Sequence, residues 1–175
     1  MTESIAQVLL SEEELQAIVR RLAEEIGRTY AGKRLLLVGI LKGAFVFLSD
    51  LIRLLPIPCE VEFLRVSSYR NSTEGGELEV LQDLALPLEE YDVLVVEDIL
   101  DSGRTLSAML KHLQTKNPRS LALCALLDKP ARRQVPVEAD FVGVRIPDAF
   151  VVGYGLDYAQ RWRSLPYVAC LELRD

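Results

Sequence analysis

The 175-residue sequence predicts an α/β fold built on a mainly parallel sheet. Short apolar runs of strand length alternate with segments whose apolar residues recur at helical spacing. No repeat, low-complexity tract or Pro/Ser-rich linker divides the chain, so residues 1–175 are expected to form a single domain. Half of the residues are apolar and 26% are charged, which supplies a substantial core and excludes a disordered or disulfide-stapled chain.

The first element is signalled by Ser11-Glu12-Glu13-Glu14, a capping box in which the Ser11 hydroxyl takes the amide three residues on and Glu14 reaches back. Leu15, Ile18, Val19, Leu22 and Ile26 follow at helical spacing, predicting an amphipathic helix to about Tyr30. The unbroken apolar run 35–40 predicts a strand covered on both faces. Helical spacing resumes over 43–55 and ends at Pro56 and Pro58. A second strand is expected over 59–66, with Val61 and Phe63 on one face and Glu60, Glu62 and Arg65 at outward or flanking positions. Residues 92–96, 121–127 and 141–146 are three further strands, the first two separated by a helix over 105–113. Strand order is not written in these periodicities. Residues 67–77 fit no regular element: they are polar, contain Gly75-Gly76 and lie between strand-like segments. Such a stretch is either a long hairpin connection or a lid hinged at Gly75-Gly76.

The chain carries 26 acidic against 20 basic residues, a net charge of −6, which argues against a role driven by contacts to nucleic-acid phosphates. Cys59, Cys124 and Cys170 are dispersed in apolar stretches, a pattern of buried free thiols in a reducing compartment rather than of disulfides or zinc. The amino-terminal segment lacks a signal-peptide pattern, and Lys42, Asp50 and Arg53 interrupt the most apolar stretch, 35–55. A cytoplasmic location with no membrane partner is therefore expected.

The richest segment is Val93-Leu94-Val95-Val96-Glu97-Asp98-Ile99-Leu100-Asp101-Ser102-Gly103-Arg104-Thr105-Leu106. Two carboxylates stand where a buried strand is expected to emerge, and ligands of open α/β sheets bind beyond the carboxyl ends of the strands. Adjacent strand residues face opposite sides, so Glu97 and Asp98 are not expected to grip one ion as a pair. They suit two hydroxyls of a sugar, or one of them a cation. Residues 101–105 then open a helix. Gly103 permits a tight turn, the first helical amides form an anion cradle, and the Ser102 and Thr105 hydroxyls add donors. The glycine spacing and the Lys-Ser/Thr of a Walker loop are absent. Helix capping alone accounts for one polar residue here, not for three carboxylates beside a hydroxyl-rich turn.

Glu97-Asp98-Ile99-Leu100-Asp101-Ser102-Gly103-Arg104-Thr105 resembles the phosphoribosyl-diphosphate (PRPP) signature of type I phosphoribosyltransferases. The resemblance implies that fold: a mainly parallel central sheet flanked by helices, a small hood built from terminal and purine-side segments, and a flexible lid at about 67–77 carrying the pair Ser68-Tyr69. It further implies that Glu97 and Asp98 sit at the ribose hydroxyls and a magnesium ion, while Asp101, Ser102, Gly103, Arg104 and Thr105 wrap the 5′-phosphate. Leu41-Lys42-Gly43 is similar to the diphosphate loop of hypoxanthine-guanine phosphoribosyltransferases, in which the Leu-Lys peptide is often cis. Asp128-Lys129-Pro130, Phe141-Val142-Gly143 and the run 146–158 resemble the purine-binding half of that subfamily. By this resemblance Lys129 donates to a 6-oxo group, Phe150 stacks on the purine, and Val151 reads the base edge through its backbone. Asp157 helps position a second magnesium ion, Arg163 meets the diphosphate, and Asp101 accepts the purine N7 proton. The resemblance runs over roughly residues 8–172. Ser102 replaces the threonine of many relatives and keeps the hydroxyl.

The implied activity is purine salvage: transfer of the 5-phosphoribosyl group from PRPP to hypoxanthine or guanine, giving IMP or GMP and diphosphate. Mg2+ is the implied cofactor, and a homodimer or homotetramer the implied assembly. Two other readings stay open. One is a regulator of the same fold that senses PRPP and binds nucleic acid through a basic face such as Arg119, Arg132 and Arg133. The other is a transferase acting on xanthine or another base. The single histidine, His112, receives no role.

Overall fold

The run at 35–41 is apolar on both faces because both faces of the sheet are covered. In the computed structural model, which describes residues 2–68 and 78–174, the chain opens with β1 (Thr2–Leu10), α1 (Glu12–Thr29) and β2 (Leu35–Leu41). There follow α2 (Phe45–Leu54), β3 (Glu60–Ser68), β4 (Leu78–Gln82), β5 (Asp92–Leu100), α3 (Arg104–Gln114) and β6 (Ser120–Asp128). A short 3₁₀ turn (Pro130–Arg132), β7 (Phe141–Arg145), β8 (Val151–Val152) and β9 (Val168–Arg174) complete it. The capping box forms as expected: Ser11 Oγ accepts from the Glu14 amide at 3.2 Å, and the Ser11 amide donates to Glu14 Oε2 at 2.7 Å.

The large sheet has the order β4-β3-β2-β5-β6-β7, parallel throughout except for β4, which pairs antiparallel with β3. Alternate residues of its central strands feed two separate cores. Leu35, Leu37, Leu94, Val96, Cys124 and Leu126 pack with α1 and α2. Leu36, Val38, Val93, Val95, Leu123 and Ala125 pack with Leu106, Met109 and Leu113 of α3. In β3 the alternation is two-sided: Val61 and Phe63 pack toward the first core, while fully buried Leu64 belongs to the second. Crossing from β2 through α2 to β3 goes one way along the sheet, and β5 lies on β2's other side. The order therefore reverses between β2 and β5, and in open α/β sheets that switch point opens a crevice at the strands' carboxyl ends.

A second sheet, β1-β9-β8, joins the two terminal strands to Val151–Val152. Two boundaries and the burial of the cysteines differ from the sequence reading. Ser67 and Ser68, expected in the loop, end β3 and pair with Glu79 and Leu78. The second helix begins at Phe45, residues 42–44 forming a turn. Of the three cysteines, all free, only Cys124 is buried; Cys59 and Cys170 are half-buried, at the end of the 55–59 connection and in the small sheet. No helix is long and apolar enough to cross a membrane among the described residues.

Candidate active site

The β2/β5 switch point is where the polar residues gather. Strand β5 continues past Val96 to Leu100, pairing Ile99 with Leu127 and Leu100 with Asp128, so Glu97 and Asp98 lie within the strand rather than beyond it. The ladder with β6 carries the strand four residues further than its apolar run predicts. Asp98 has the parity of Val96 and turns toward α2. There the α-carbon of Gly43 lies so close that a β-carbon would stand 1.9 Å from Asp98 Oδ2. Glu97 has the parity of Val95, yet its carboxyl reaches back to share a side-chain hydrogen bond with that of Asp98, so the pair is closer than strand alternation alone predicts. Asp98 Oδ1 accepts from the Ile99 amide at 2.8 Å, and Glu97 Oε1 accepts from the Asp98 amide at 3.1 Å. Burial pushes both carboxyls above their ordinary range, and the Asp98 charge pushes Glu97 further. Arg163 across the crevice acts the other way on Asp98.

Asp101 and Ser102 form the turn into α3, whose cap residue Gly103 has φ +80°, a conformation that favours glycine. No side chain caps this end. The amides of Arg104, Thr105 and Leu106 have no carbonyl one turn back inside the helix, and only the Ser102 hydroxyl stands by, 3.4 Å from the Arg104 amide. Arg104 and Thr105 are exposed. The result is an open helix terminus with a hydroxyl on each side, an anion site by geometry. Asp101 Oδ1 is buried and accepts no hydrogen bond among the described residues, although Arg132 Nε stands 3.7 Å away.

Arg133 stiffens this loop, a role the sequence reading did not assign. Its Nη1 donates to the carbonyls of Leu100, at 3.2 Å, and Asp101, and its Nη2 pairs with buried Asp128. Arg119 stands 3.6 Å from Asp92, and Arg132 lies between Asp101 and Asp148. The three arginines that suggested a basic face are thus spread over separate carboxylates.

Across the switch point, the Leu41–Lys42 peptide is cis. Lys42 is exposed and its Nζ donates to Gln160 Oε1 at 3.0 Å. Arg163 gathers the opposite wall. Its Nη1 donates to the Gly155 carbonyl at 2.7 Å, and its Nη2 pairs with Asp157 Oδ1 at 2.9 Å and reaches Gln160 Oε1 at 3.3 Å. The Gln160 amide donates to Asp157 Oδ2 at 2.8 Å. Gln160, which the sequence reading passed over, therefore joins Lys42, Arg163 and Asp157 into one cluster. Glu97 and Asp98 on one wall and Asp157 on the other are hard oxygen donors for a divalent cation, although no closed cage of three acidic, His or Cys ligands occurs among the described residues.

Lys129 follows the end of β6 and is buried, 5% exposed; its Nζ donates to the Ala149 carbonyl at 2.8 Å. Phe150 is 51% exposed, an unusual setting for a large aromatic, and meets Tyr158 edge-on at 5.6 Å between centroids. Val151 is buried in β8. Of the expected lid pair, Ser68 is the last residue of β3; Tyr69 and the stretch 70–77 lie outside the described residues. His112 lies away from the crevice, 3.0 Å from Asp83.

The phosphoribosyl transferase domain family matches residues 8–159. Among proteins with assigned names, the chain is 48% identical over 173 residues to the bifunctional protein TilS/HprT of Listeria monocytogenes serotype 4b, covering 98% of this chain but 27% of that one. The chain thus spans about a quarter of the length of these bifunctional relatives. It is 45% identical to the hypoxanthine-guanine phosphoribosyltransferase of Staphylococcus aureus strain Mu50, over 98% of this chain and 97% of that protein. A crystal structure of a Staphylococcus aureus hypoxanthine phosphoribosyltransferase superposes with a TM-score of 0.92 at 45% identity, covering 96% of this chain and 92% of that one. With its sheet order, its crevice and these likenesses in agreement, the chain belongs to the phosphoribosyl transferase family.

Proposed function

We propose that the chain is a hypoxanthine-guanine phosphoribosyltransferase of purine salvage. It joins hypoxanthine or guanine to PRPP and releases IMP or GMP and diphosphate. One observation carries this reading: the open amino terminus of α3, with Asp101 and its buried, non-hydrogen-bonded Oδ1 at its edge, lies across the β2/β5 switch point from the 41–43 loop. A phosphate at one side, a diphosphate at the other and a ribose between them suit donors placed on both sides of one switch point.

In the reaction the bond from ribose C1 to the diphosphate oxygen breaks, the bond from C1 to purine N9 forms, and the purine loses its N7 proton. The ribose becomes oxocarbenium-like, so catalysis consists of holding the partners in line and stabilising the departing negative charge. The α3 terminus with Ser102, Gly103, Arg104 and Thr105 fixes the 5′-phosphate. Glu97 and Asp98 address the ribose hydroxyls. Lys42, the backbone of Leu41 and Gly43, and Arg163 receive the diphosphate. Asp101 takes the N7 proton, its buried Oδ1 accepting no hydrogen bond among the described residues. Lys129 donates to the 6-oxo group, Phe150 stacks on the base, and the Val151 backbone reads its edge.

The carboxylates suit Mg2+, which binds through one or two carboxylates plus substrate oxygens and needs no closed protein cage. Glu97 and Asp98 on the ribose side would hold one ion and Asp157 on the other side would help position a second, and these ions would supply charge neutralisation to the diphosphate. The dispersed free thiols support a cytoplasmic location. The assembly proposed is a homodimer or homotetramer, which size-exclusion chromatography with light scattering reads directly.

Incubating the protein with PRPP, Mg2+ and a panel of hypoxanthine, guanine, xanthine, adenine and uracil tests the function. Nucleotide formed from hypoxanthine and guanine is the expected result. Product from adenine or uracil alone, or from none of the five, overturns the proposal.

A further inference from the structure

Helix α2 begins immediately after the 41–43 loop, and Asp50 lies in its second turn. The Asp50 carboxylate accepts the hydroxyl hydrogen bond of Tyr154 and also pairs with Arg53. Tyr154 is buried, 7% exposed, and sits in a run of three positive φ values: Gly153 at +98°, Tyr154 at +52° and Gly155 at +97°. That conformation is unfavourable for a residue with a β-carbon, so something must fix it. Backbone hydrogen bonds help, with the Tyr154 amide donating to the Leu165 carbonyl at 2.9 Å. Its ring packs in the first core, and its hydroxyl is anchored by Asp50. Its neighbour Gly155 is the pivot of the crevice wall. The Gly155 amide donates to the Arg163 carbonyl at 3.0 Å, its carbonyl accepts Arg163 Nη1 at 2.7 Å, and a β-carbon there would stand 2.2 Å from the Gly43 carbonyl. Asp50 and Tyr154 also border the cleft that Arg163 and Ser164 line.

We propose that Asp50 and Tyr154 are positioning residues that hold the 41–43 loop and Arg163 at the separation a bound diphosphate requires. The inference rests on the reading of Lys42 and Arg163 as diphosphate groups. The hydrogen bond ties α2, which carries the 41–43 loop, to the segment that carries Arg163 and Asp157. Its acceptor is a carboxylate kept beside a guanidinium, which makes the bond stronger than a neutral one. Burial and the same carboxylate push the phenol well above its ordinary value, so it keeps the proton it donates. The purine side is fixed separately, through Lys129 to Ala149 and through β8 to β9. Loss of the tether therefore acts on one substrate and spares the other.

Tyr154→Phe, Asp50→Ala and Asp50→Asn in the full chain test this, with PRPP and hypoxanthine varied separately and inorganic diphosphate binding measured by calorimetry. For Tyr154→Phe and Asp50→Ala, the KM for PRPP and the Kd for diphosphate rise about tenfold, the loss expected for a hydrogen bond to a charged group. The kcat and the KM for hypoxanthine stay within about twofold. Asp50→Asn, which keeps an oxygen acceptor, recovers most of the affinity. Unchanged PRPP affinity in both variants, or equal weakening of both substrates, overturns the proposal. If Tyr154→Phe does not fold, Asp50→Ala decides by the same readings. Arg163→Lys separates this inference from the reading beneath it. Diphosphate affinity unmoved by Arg163→Lys removes that reading; affinity lost there but kept in Tyr154→Phe and Asp50→Ala removes the tether alone.

Discussion

The α-carbon of Gly43 is seated against the carboxylate of Asp98, leaving no room for a methyl group: a β-carbon would stand 1.9 Å from Oδ2 and 2.7 Å from the carboxyl carbon. Asp98 has little freedom to retreat, being 7% exposed and bound through Oδ1 to the Ile99 amide. The contact sets how closely the 41–43 loop approaches the acidic end of β5.

Gly43→Ala must displace one of these groups. Its expected cost is about 1–3 kcal/mol of stability, as for other overpacked sites, and about a 10²-fold loss in kcat/KM for PRPP from misplacement of the loop. Adding Asp98→Ser makes space, so the double variant regains melting temperature without regaining activity. Thermal melts with steady-state kinetics check both halves; a single variant as active as the parent would mean the loop yields without consequence.

Much of this arrangement was legible in the sequence, for identifiable reasons. Strands β2, β5 and β6 are apolar on both faces because both faces of the sheet are covered, and such runs stand out in any order. The α1 start was legible because a capping box is local. The order β3-β2-β5 was not, because contacts far apart in sequence decide it. Strand β1 was missed because its pairing with β9 shifts register at Ile5/Gln7 and Val8/Leu10, which breaks the two-residue period. The end of β5 was misplaced because two carboxylates read as an exit, whereas a strand lining a crevice keeps polar residues within its ladder. Gln160 carried no signal at all: its role comes from a turn that places one amide oxygen between Lys42 and Arg163.

Asp101 combines a buried oxygen without a hydrogen bond and a position at the mouth of the α3 anion site. Asp101→Asn keeps the shape of the side chain and removes the proton acceptor. Turnover is expected to fall about 10²–10⁴-fold, the usual worth of a general base, while PRPP binding is retained. Pre-steady-state nucleotide formation with PRPP affinity measured in parallel checks this. An unchanged chemical step would exclude Asp101 as the base.

Lys129 has three ammonium protons, of which the Ala149 carbonyl takes one at 2.8 Å. The others are free to meet a 6-oxo group, and adenine's 6-amino group would oppose them. Lys129→Ala is therefore expected to lower kcat/KM for hypoxanthine about 10²-fold and to leave adenine no worse, narrowing the preference between them. Competition between the two bases at saturating PRPP reads this ratio directly, and an unaltered ratio would remove Lys129 from base selection.

The acidic pair, with Asp98 buried and Glu97 half-buried, sets the sign of a pH dependence. Burial and the neighbouring Asp98 charge raise the Glu97 carboxyl, so the native state keeps a proton that the unfolded chain gives up at about pH 4.3. Above that pH the native state binds more protons than the unfolded one, and stability falls as pH rises until the native group has also ionised. The deficit then persists at higher pH. Glu97→Gln removes the ionisation and keeps an oxygen to accept the Asp98 amide, a contact of 3.1 Å in the parent. In buffer with chelator, the variant should melt above the parent at pH 8, and the two should converge as pH falls toward about 4. Melting curves taken across that range decide it: an offset independent of pH, or a variant less stable at pH 8, would mean that Glu97 ionises in the folded protein as readily as in water.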